Sequence, residues 1–373
     1  MDKVKILVID DTIFYRKILS DILKEIPQVE VVGSANTGKV ALSKIDSLKP
    51  DMITLDVEMP GMNGLEVLEE LNKKNSDVGV LMVSTLTSRG SQITIKALEL
   101  GAFDFIEKPS SEGSSMKENM ERVKLNLVPI IQAFLKRKEL RLKLTGKHKY
   151  QSNTPDTIKK PETKILLQPR TLSLKSRSEI VAIGISTGGP NALAKMIPML
   201  PADLGVPILI VQHMPPVFTA SLAKSLDSKS KLSVKEASNG DTIEANKVYI
   251  APGGKQMKIS ASNDGLRRLI KITDDPPENS CKPSADYLFR SVADYYVGRA
   301  TGVIMTGMGS DGYKGLIEMH KKNSTIIAQN EETCTVYGMP KAPIDNEIAD
   351  IVCPLEKIAD EIVKTVKSTS KLR

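Results

Sequence analysis

Short aliphatic and β-branched runs punctuate the first 120 positions, and between them lie longer stretches whose apolar residues recur at helical spacing. VKILVID, VEVVGSA, MITLDV, VGVLMVS and FDFIEK read as five strands. Strands separated by helix-length segments predict right-handed crossovers and a parallel sheet covered on both faces. A Lys-rich stretch containing MKENMERVKLNLVPIIQAFLKRKELRLKL follows; its apolar spacing begins as a helix and then dissolves. From about 152 to 178 the chain is rich in Pro, Ser, Thr and Lys and has no period. The alternation then resumes, with EIVAIGI, PILIVQ, KVYIA, GVIMTG and STIIAQ as strands and NALAKMIPML and ADYLFRSVADYY as helices. The pattern therefore predicts two doubly wound α/β domains, residues 1–122 and 179–371, joined at 123–178 by a helical and then basic linker.

Composition supports this division. A chain of 373 residues exceeds what one core usually organises, and 40% apolar with 26% charged residues is ordinary for a globular protein. Cys281, Cys334 and Cys353 are odd in number and far apart, which fits neither a disulfide framework nor a paired zinc motif; they are expected as buried, reduced thiols. No apolar run approaches the roughly 20 residues that span a bilayer, and MDKVKILVID does not read as a signal peptide, so a cytoplasmic protein is expected. The net charge of +7 is concentrated: residues 141–178 carry ten Lys or Arg against Asp156 and Glu162. That segment lacks aromatics for base stacking, so it reads as a solvated linker and not as a nucleic-acid arm.

Candidate chemistry gathers at strand ends. Asp10 and Asp11 end the first strand and Asp56 the third, while Ser84 and Lys108 close the fourth and fifth. A doubly wound sheet brings all of these to one carboxyl edge. Acids at strand ends often do no more than cap helices. Three sharing a crevice repel one another unless a hard cation such as Mg²⁺ sits among them, and Lys108 and Ser84 could then hold phosphoryl oxygens while Asp56 attacks.

In the second domain Ser186 follows a strand in GISTGGP, a Gly-x-Ser-x-Gly setting that permits a sharp turn. Such a turn could equally cradle a phosphate at a helix N-terminus. Of three histidines, His148 lies in the basic segment and His320 in a helical one, whereas His213 ends the strand PILIVQ. Asp311, in TGMGSDGYKG, follows the strand GVIMTG. A serine hydroxyl needs an imidazole to take its proton and the imidazole needs a carboxylate to fix its tautomer, and Ser186, His213 and Asp311 are candidates for those roles. The Met308 amide is the candidate oxyanion donor, with Thr187 as a further polar contributor.

IDD, LDVEMPGMNG, MVST and EKP make the first domain resemble the receiver domains of two-component response regulators, a flavodoxin-like fold. GISTGGP, VQHMPP, YIAPGGKQM, TGMGSDG and AQNEETCTVYGMP make the second resemble the methylesterase domain of the CheB family, a Rossmann-like serine hydrolase unit. The first resemblance implies that a CheA-like histidine kinase phosphorylates Asp56, that Asp11 helps hold Mg²⁺ with Asp56, Asp10 supporting, and that Ser84, Phe105 and Lys108 relay the change. The second implies hydrolysis of glutamate methyl esters on chemoreceptors and deamidation of receptor glutamines, in service of chemotactic adaptation, with no cofactor in the esterase domain and no nucleic acid or membrane partner. The receiver has no catalytic group to lend to Ser186, so its expected effect is to shield the crevice.

Overall fold

The structure, a computed structural model, describes residues 3–108, 116–148 and 176–367. The first unit runs β1 (Val4–Ile9), α1 (Ile13–Lys24), β2 (Val29–Ala35), α2 (Gly38–Leu48), β3 (Met52–Asp56), α3 (Gly64–Lys73), β4 (Gly79–Ser84), α4 (Ser88–Glu99), β5 (Asp104–Glu107) and α5 (Met116–His148). Its five strands are all parallel in the order β2-β1-β3-β4-β5, the flavodoxin-like winding. The central strands are apolar throughout because helices cover both faces: every residue of β3 is buried.

The helix α5 departs from the sequence reading in one respect. It passes through residue 122 without a break, and Val123, Leu127, Ile130 and Ile131 pack into the core formed by β1 and α1. The receiver's packing thus extends beyond the division at 122, because the apolar positions of the Lys-rich stretch have a hydrophobic face to meet. Most of the Pro/Ser/Lys-rich segment, where the sequence places the linker, lies outside the described residues.

The second unit runs β6 (Ile180–Ile185), α6 (Gly189–Met196), β7 (Ile208–Gln212), α7 (Phe218–Asp227), β8 (Ser233–Glu236), β9 (Lys247–Ile250), β10 (Gln256–Ala261), β11 (Arg268–Thr273), α8 (Ala285–Tyr295), β12 (Ala300–Ile304), α9 (Tyr313–Lys321), β13 (Thr325–Gln329), α10 (Lys341–Asp345), β14 (Ile351–Cys353) and α11 (Leu355–Lys367). Seven parallel strands lie in the order β14-β13-β12-β6-β7-β9-β8, and β10 and β11 form a separate antiparallel pair. From β6 the chain winds toward β7 on one side and returns through β12 on the other. The carboxyl ends of β6, β7 and β12 therefore border the switch point, where open α/β sheets form crevices. No helix among the described residues is long and apolar enough to cross a membrane.

The two units touch along α4, α6 and α7. Ser91 and Ser221 share a 2.8 Å hydrogen bond, Asn191 Nδ2 donates to the carbonyls of Leu98 and Glu99, and Glu99 accepts from Ser225 Oγ at 2.6 Å and pairs with Lys229. Phe105 of β5 stacks on Phe218 with ring centroids 4.5 Å apart.

Candidate active site

At the receiver edge, Lys108 Nζ lies 2.7 Å from Asp56 Oδ2 and 2.8 Å from Asp10 Oδ2. All three side chains are buried, and Asp56 Oδ1 accepts from the Glu58 amide at 3.2 Å. Asp10, Asp11 and Asp56 each offer a carboxylate oxygen within 4.8 Å of the others. Burial pushes the Asp56 carboxyl up to about 6; Lys108 opposes that rise and the Asp10 charge adds to it. Ser84 is turned inward: its hydroxyl accepts from Thr94 Oγ1 at 2.9 Å and donates to the Thr85 carbonyl.

In the second unit Ser186 occupies the turn between β6 and α6. Its amide donates to the Thr306 carbonyl, the Gly189 amide folds back on the Ser186 carbonyl at 2.7 Å, and Gly188 sits in the left-handed region at φ +77. A Cβ on Gly189 would fall 1.9 Å from Gln212 Oε1, so the turn closes that tightly only with glycine there. Gln212, buried at the end of β7, clamps the crevice by donating from Nε2 to the carbonyls of both Ser186 and His213.

His213 Nε2 is 2.8 Å from Asp311 Oδ2. Asp311 is 2% exposed and saturated with donors: Asn279 Nδ2 and Ser284 Oγ reach Oδ1, and the Ala285 amide reaches Oδ2 at 2.6 Å. Ser284 caps α8, so the carboxylate also faces the positive end of that helix. Burial acts to raise the Asp311 pKa, but the His213, Ser284 and Ala285 interactions outweigh it and bring it down to about 2. For His213 burial acts downward, and the hydrogen bonds to Asp311 and Cys281 overcome it, raising the imidazole to about 9.

With Nε2 committed to Asp311, the other ring nitrogen, Nδ1, faces Cys281 Sγ at 3.6 Å. Ser186 stands half-buried at the adjoining strand end, and among the described residues its hydroxyl makes no hydrogen bond to His213. Thr187 is buried, its side chain hydrogen-bonded to Asp104 of the receiver and its carbonyl to Thr306. That bond to Asp104 orients the Thr187 hydroxyl toward the receiver. Met308 lies half-buried against the receiver's core cluster.

Sequence reasoning missed Gln212, Asn279, Ser284 and Cys281. The expectation of buried thiols holds for Cys353, but Cys281 and Cys334 are half-buried, and Cys281 stands against the histidine; all three cysteines are free thiols. Asn279, Cys281 and Ser284 come from the segment between β11 and α8, which has no period to place it.

Residues 181–362 match the CheB methylesterase family, and residues 6–118 match the response regulator receiver domain. A protein-glutamate methylesterase/protein-glutamine glutaminase of Desulfotalea psychrophila is 56% identical over 370 residues, covering 98% of this chain and 100% of that protein. The chain belongs to the protein-glutamate methylesterase family. A further family member, from Trichodesmium erythraeum, is 42% identical over 98% of this chain and 100% of its own. The crystal structure of the Thermotoga maritima CheB methylesterase catalytic domain is 41% identical and covers 51% of this chain and 99% of that one, with a TM-score of 0.49. Like its relatives, this methylesterase is a hydrolase coupled to a response regulator receiver domain.

Proposed function

We propose that this chain hydrolyses glutamate γ-methyl esters of chemoreceptors, and the amides of receptor glutamines, through an acyl-serine on Ser186, and that phosphorylation of Asp56 by a CheA-like kinase in the cytoplasm releases that activity. The observation that carries the reading is the 2.8 Å His213–Asp311 pair, immobilised beside the Ser186 turn. Asp311 fixes the proton on Nε2, leaving the Nδ1 lone pair to accept the Ser186 proton as Oγ attacks the carbonyl. The contact between hydroxyl and ring forms as substrate enters, as catalytic hydrogen bonds commonly do. The Met308 amide stabilises the oxyanion. The imidazolium then returns its proton to the departing methoxide, giving methanol, or to the departing amide nitrogen, giving ammonia. Water, deprotonated by the same nitrogen, cleaves the acyl-serine to glutamate.

In the receiver, Asp10, Asp11 and Asp56 would hold Mg²⁺, which fits three clustered carboxylate ligands and, when bound, neutralises charge on the transferring phosphoryl group. Lys108, already bridging Asp10 and Asp56, holds a phosphoryl oxygen. A phosphoryl group on Asp56 draws the Ser84 hydroxyl away from Thr94, and Thr94 belongs to α4, which lies against α6 and α7. The reading that this contact covers the crevice, and that loosening it uncovers Ser186, is supported by Phe105 on Phe218, Asp104 on Thr187 and Met308 against the receiver core. Labelling of Ser186 by a fluorophosphonate, together with methanol release from methylated receptor with and without a small phosphodonor, tests the reading. Turnover by a folded Ser186→Ala protein would sink it.

A further inference from the structure

We propose that Cys281 and His213 form a binding site for Zn²⁺ or a similar thiophilic divalent cation, and that occupancy of this site reversibly shuts off the esterase. The inference deepens the reading above and rests on it for the inhibition, because the ligating nitrogen is the one assigned as base. Sγ of Cys281 lies 3.6 Å from His213 Nδ1. A tetrahedral zinc with Zn–S of about 2.3 Å and Zn–N of about 2.05 Å sets sulfur and nitrogen about 3.6 Å apart, which matches the spacing of this pair. Asp311 completes the arrangement from behind. Its carboxylate on Nε2 fixes the ring with Nδ1 outward and makes it a better donor, the carboxylate–histidine–metal relay of natural zinc sites. His213, Cys281 and Asp311 together form one of two acid/His/Cys clusters of this kind among the described residues, and the one that contains sulfur.

The surroundings favour a cation. Asp286 lies beside Asp311, bridged to it by Asn279, while the nearby cations are engaged elsewhere: Arg290 with Glu278 and Lys282 with Asp274. On binding, the thiol loses its proton to solvent, as does the ring wherever it carries the imidazolium, and the Nδ1 lone pair is donated to the metal, so no acceptor remains for the Ser186 proton. The two remaining coordination positions are open to water or the Ser186 hydroxyl. Cys281 thus acts here as a metal ligand beside the reaction and takes no part in the reaction itself.

The experiment uses the full chain with excess Mg²⁺ to fill the carboxylate cluster of the receiver. Co²⁺ added as a zinc surrogate should produce a thiolate-to-cobalt absorption band in the near ultraviolet, displaced by Zn²⁺. The band should survive in Ser186→Ala and disappear in Cys281→Ala and in His213→Ala. Methanol release should fall at least tenfold on adding Zn²⁺ and recover with chelator; in Cys281→Ala it should fall less than twofold, each protein being referred to its own zinc-free rate. Absence of the band, or a band unchanged in Cys281→Ala, overturns the site. A band with the expected residue dependence but no loss of turnover keeps the site and overturns the role of Nδ1 as base, whereas Ser186→Ala tests the nucleophile separately.

Discussion

Asp56 and Asp311 are equally buried, 2% exposed in each case, and both lie at the carboxyl edge of a parallel sheet, yet their surroundings shift their pKa values in opposite directions. Asp311 receives five donors, counting His213 and the Asp286 amide, and stays ionised far below neutrality. Asp56 receives one backbone amide and shares Lys108 with a second carboxylate, and burial leaves it at about 6. The saturated carboxylate has no reactive lone pair to offer and serves to orient a partner. The undersatisfied one keeps an oxygen available for phosphorus. The number of donors, more than burial, separates an orienting aspartate from a nucleophilic one.

The largest effect expected is on the serine. Ser186→Ala or His213→Ala should lower methanol release by about 10⁴-fold or more, with the fold intact by circular dichroism, since members of a triad act as one unit. Asp311→Asn sharpens the contrast. Both oxygens of Asp311 face donors, so either orientation of an asparagine amide sets its NH₂ against N–H or O–H groups. The substitution should cost about 10³- to 10⁴-fold in turnover through the wrong tautomer and about 1–3 kcal/mol of stability, read by denaturant titration. The same exchange at Asp56 should do the reverse: Asp56→Asn should leave the esterase chemistry in place, abolish Mg²⁺-dependent phosphorylation and remove the response to phosphodonor. Phosphate mapping to another residue in that variant would break the comparison.

Where the sequence was legible and where it was not follows the same division. Strands such as ILIVQ and IVAIGI announce themselves because burial on both faces leaves a continuous apolar run, and Ser186, His213 and Asp56 stand at or just beyond the ends of strands, with Asp311 in the loop that follows β12. The short edge strand SVKE and the hairpin strands QMKISA and RLIKIT interrupt their apolar residues with polar ones and do not stand out as strands in the sequence. Asn279, Cys281 and Ser284, which set the electrostatics of the histidine, lie on an irregular segment whose position depends on tertiary packing alone.

The contact between the units supplies a smaller effect. A fragment beginning near Ser178 lacks Phe105, Asp104 and the receiver surface that meets Met308 and Thr187. It should hydrolyse receptor esters about 10-fold faster than the unphosphorylated full chain, within the usual range of coupling free energies, and ignore phosphodonor. A folded fragment no faster than its parent would mean that the receiver helps by docking or alignment and does not shield.

The smallest effect concerns the pH dependence of the histidine itself. His213 must be neutral at Nδ1 to accept the serine proton, and its pKa lies near 9, so at neutral pH most molecules carry the imidazolium. Protons leave as pH rises; kcat/KM should therefore climb from neutrality toward about pH 9 and then level, the opposite of a profile limited by an acid. Burial pulls that pKa down, Asp311 and Cys281 push it up, and the Cys281 contribution can be removed without touching the carboxylate. Cys281→Ala should move the rising limb to lower pH by up to about one pH unit, the equivalent of one hydrogen bond of about 1 kcal/mol, and so raise the rate near pH 7 several-fold. The measurement is kcat/KM for methanol release against pH for both proteins, in chelator to keep thiophilic ions away. An unchanged limb would mean that the thiol does not interact with Nδ1 in solution, whereas a limb moved to higher pH would mean that the sulfur favours the neutral ring and that its effect on the histidine has the opposite sign.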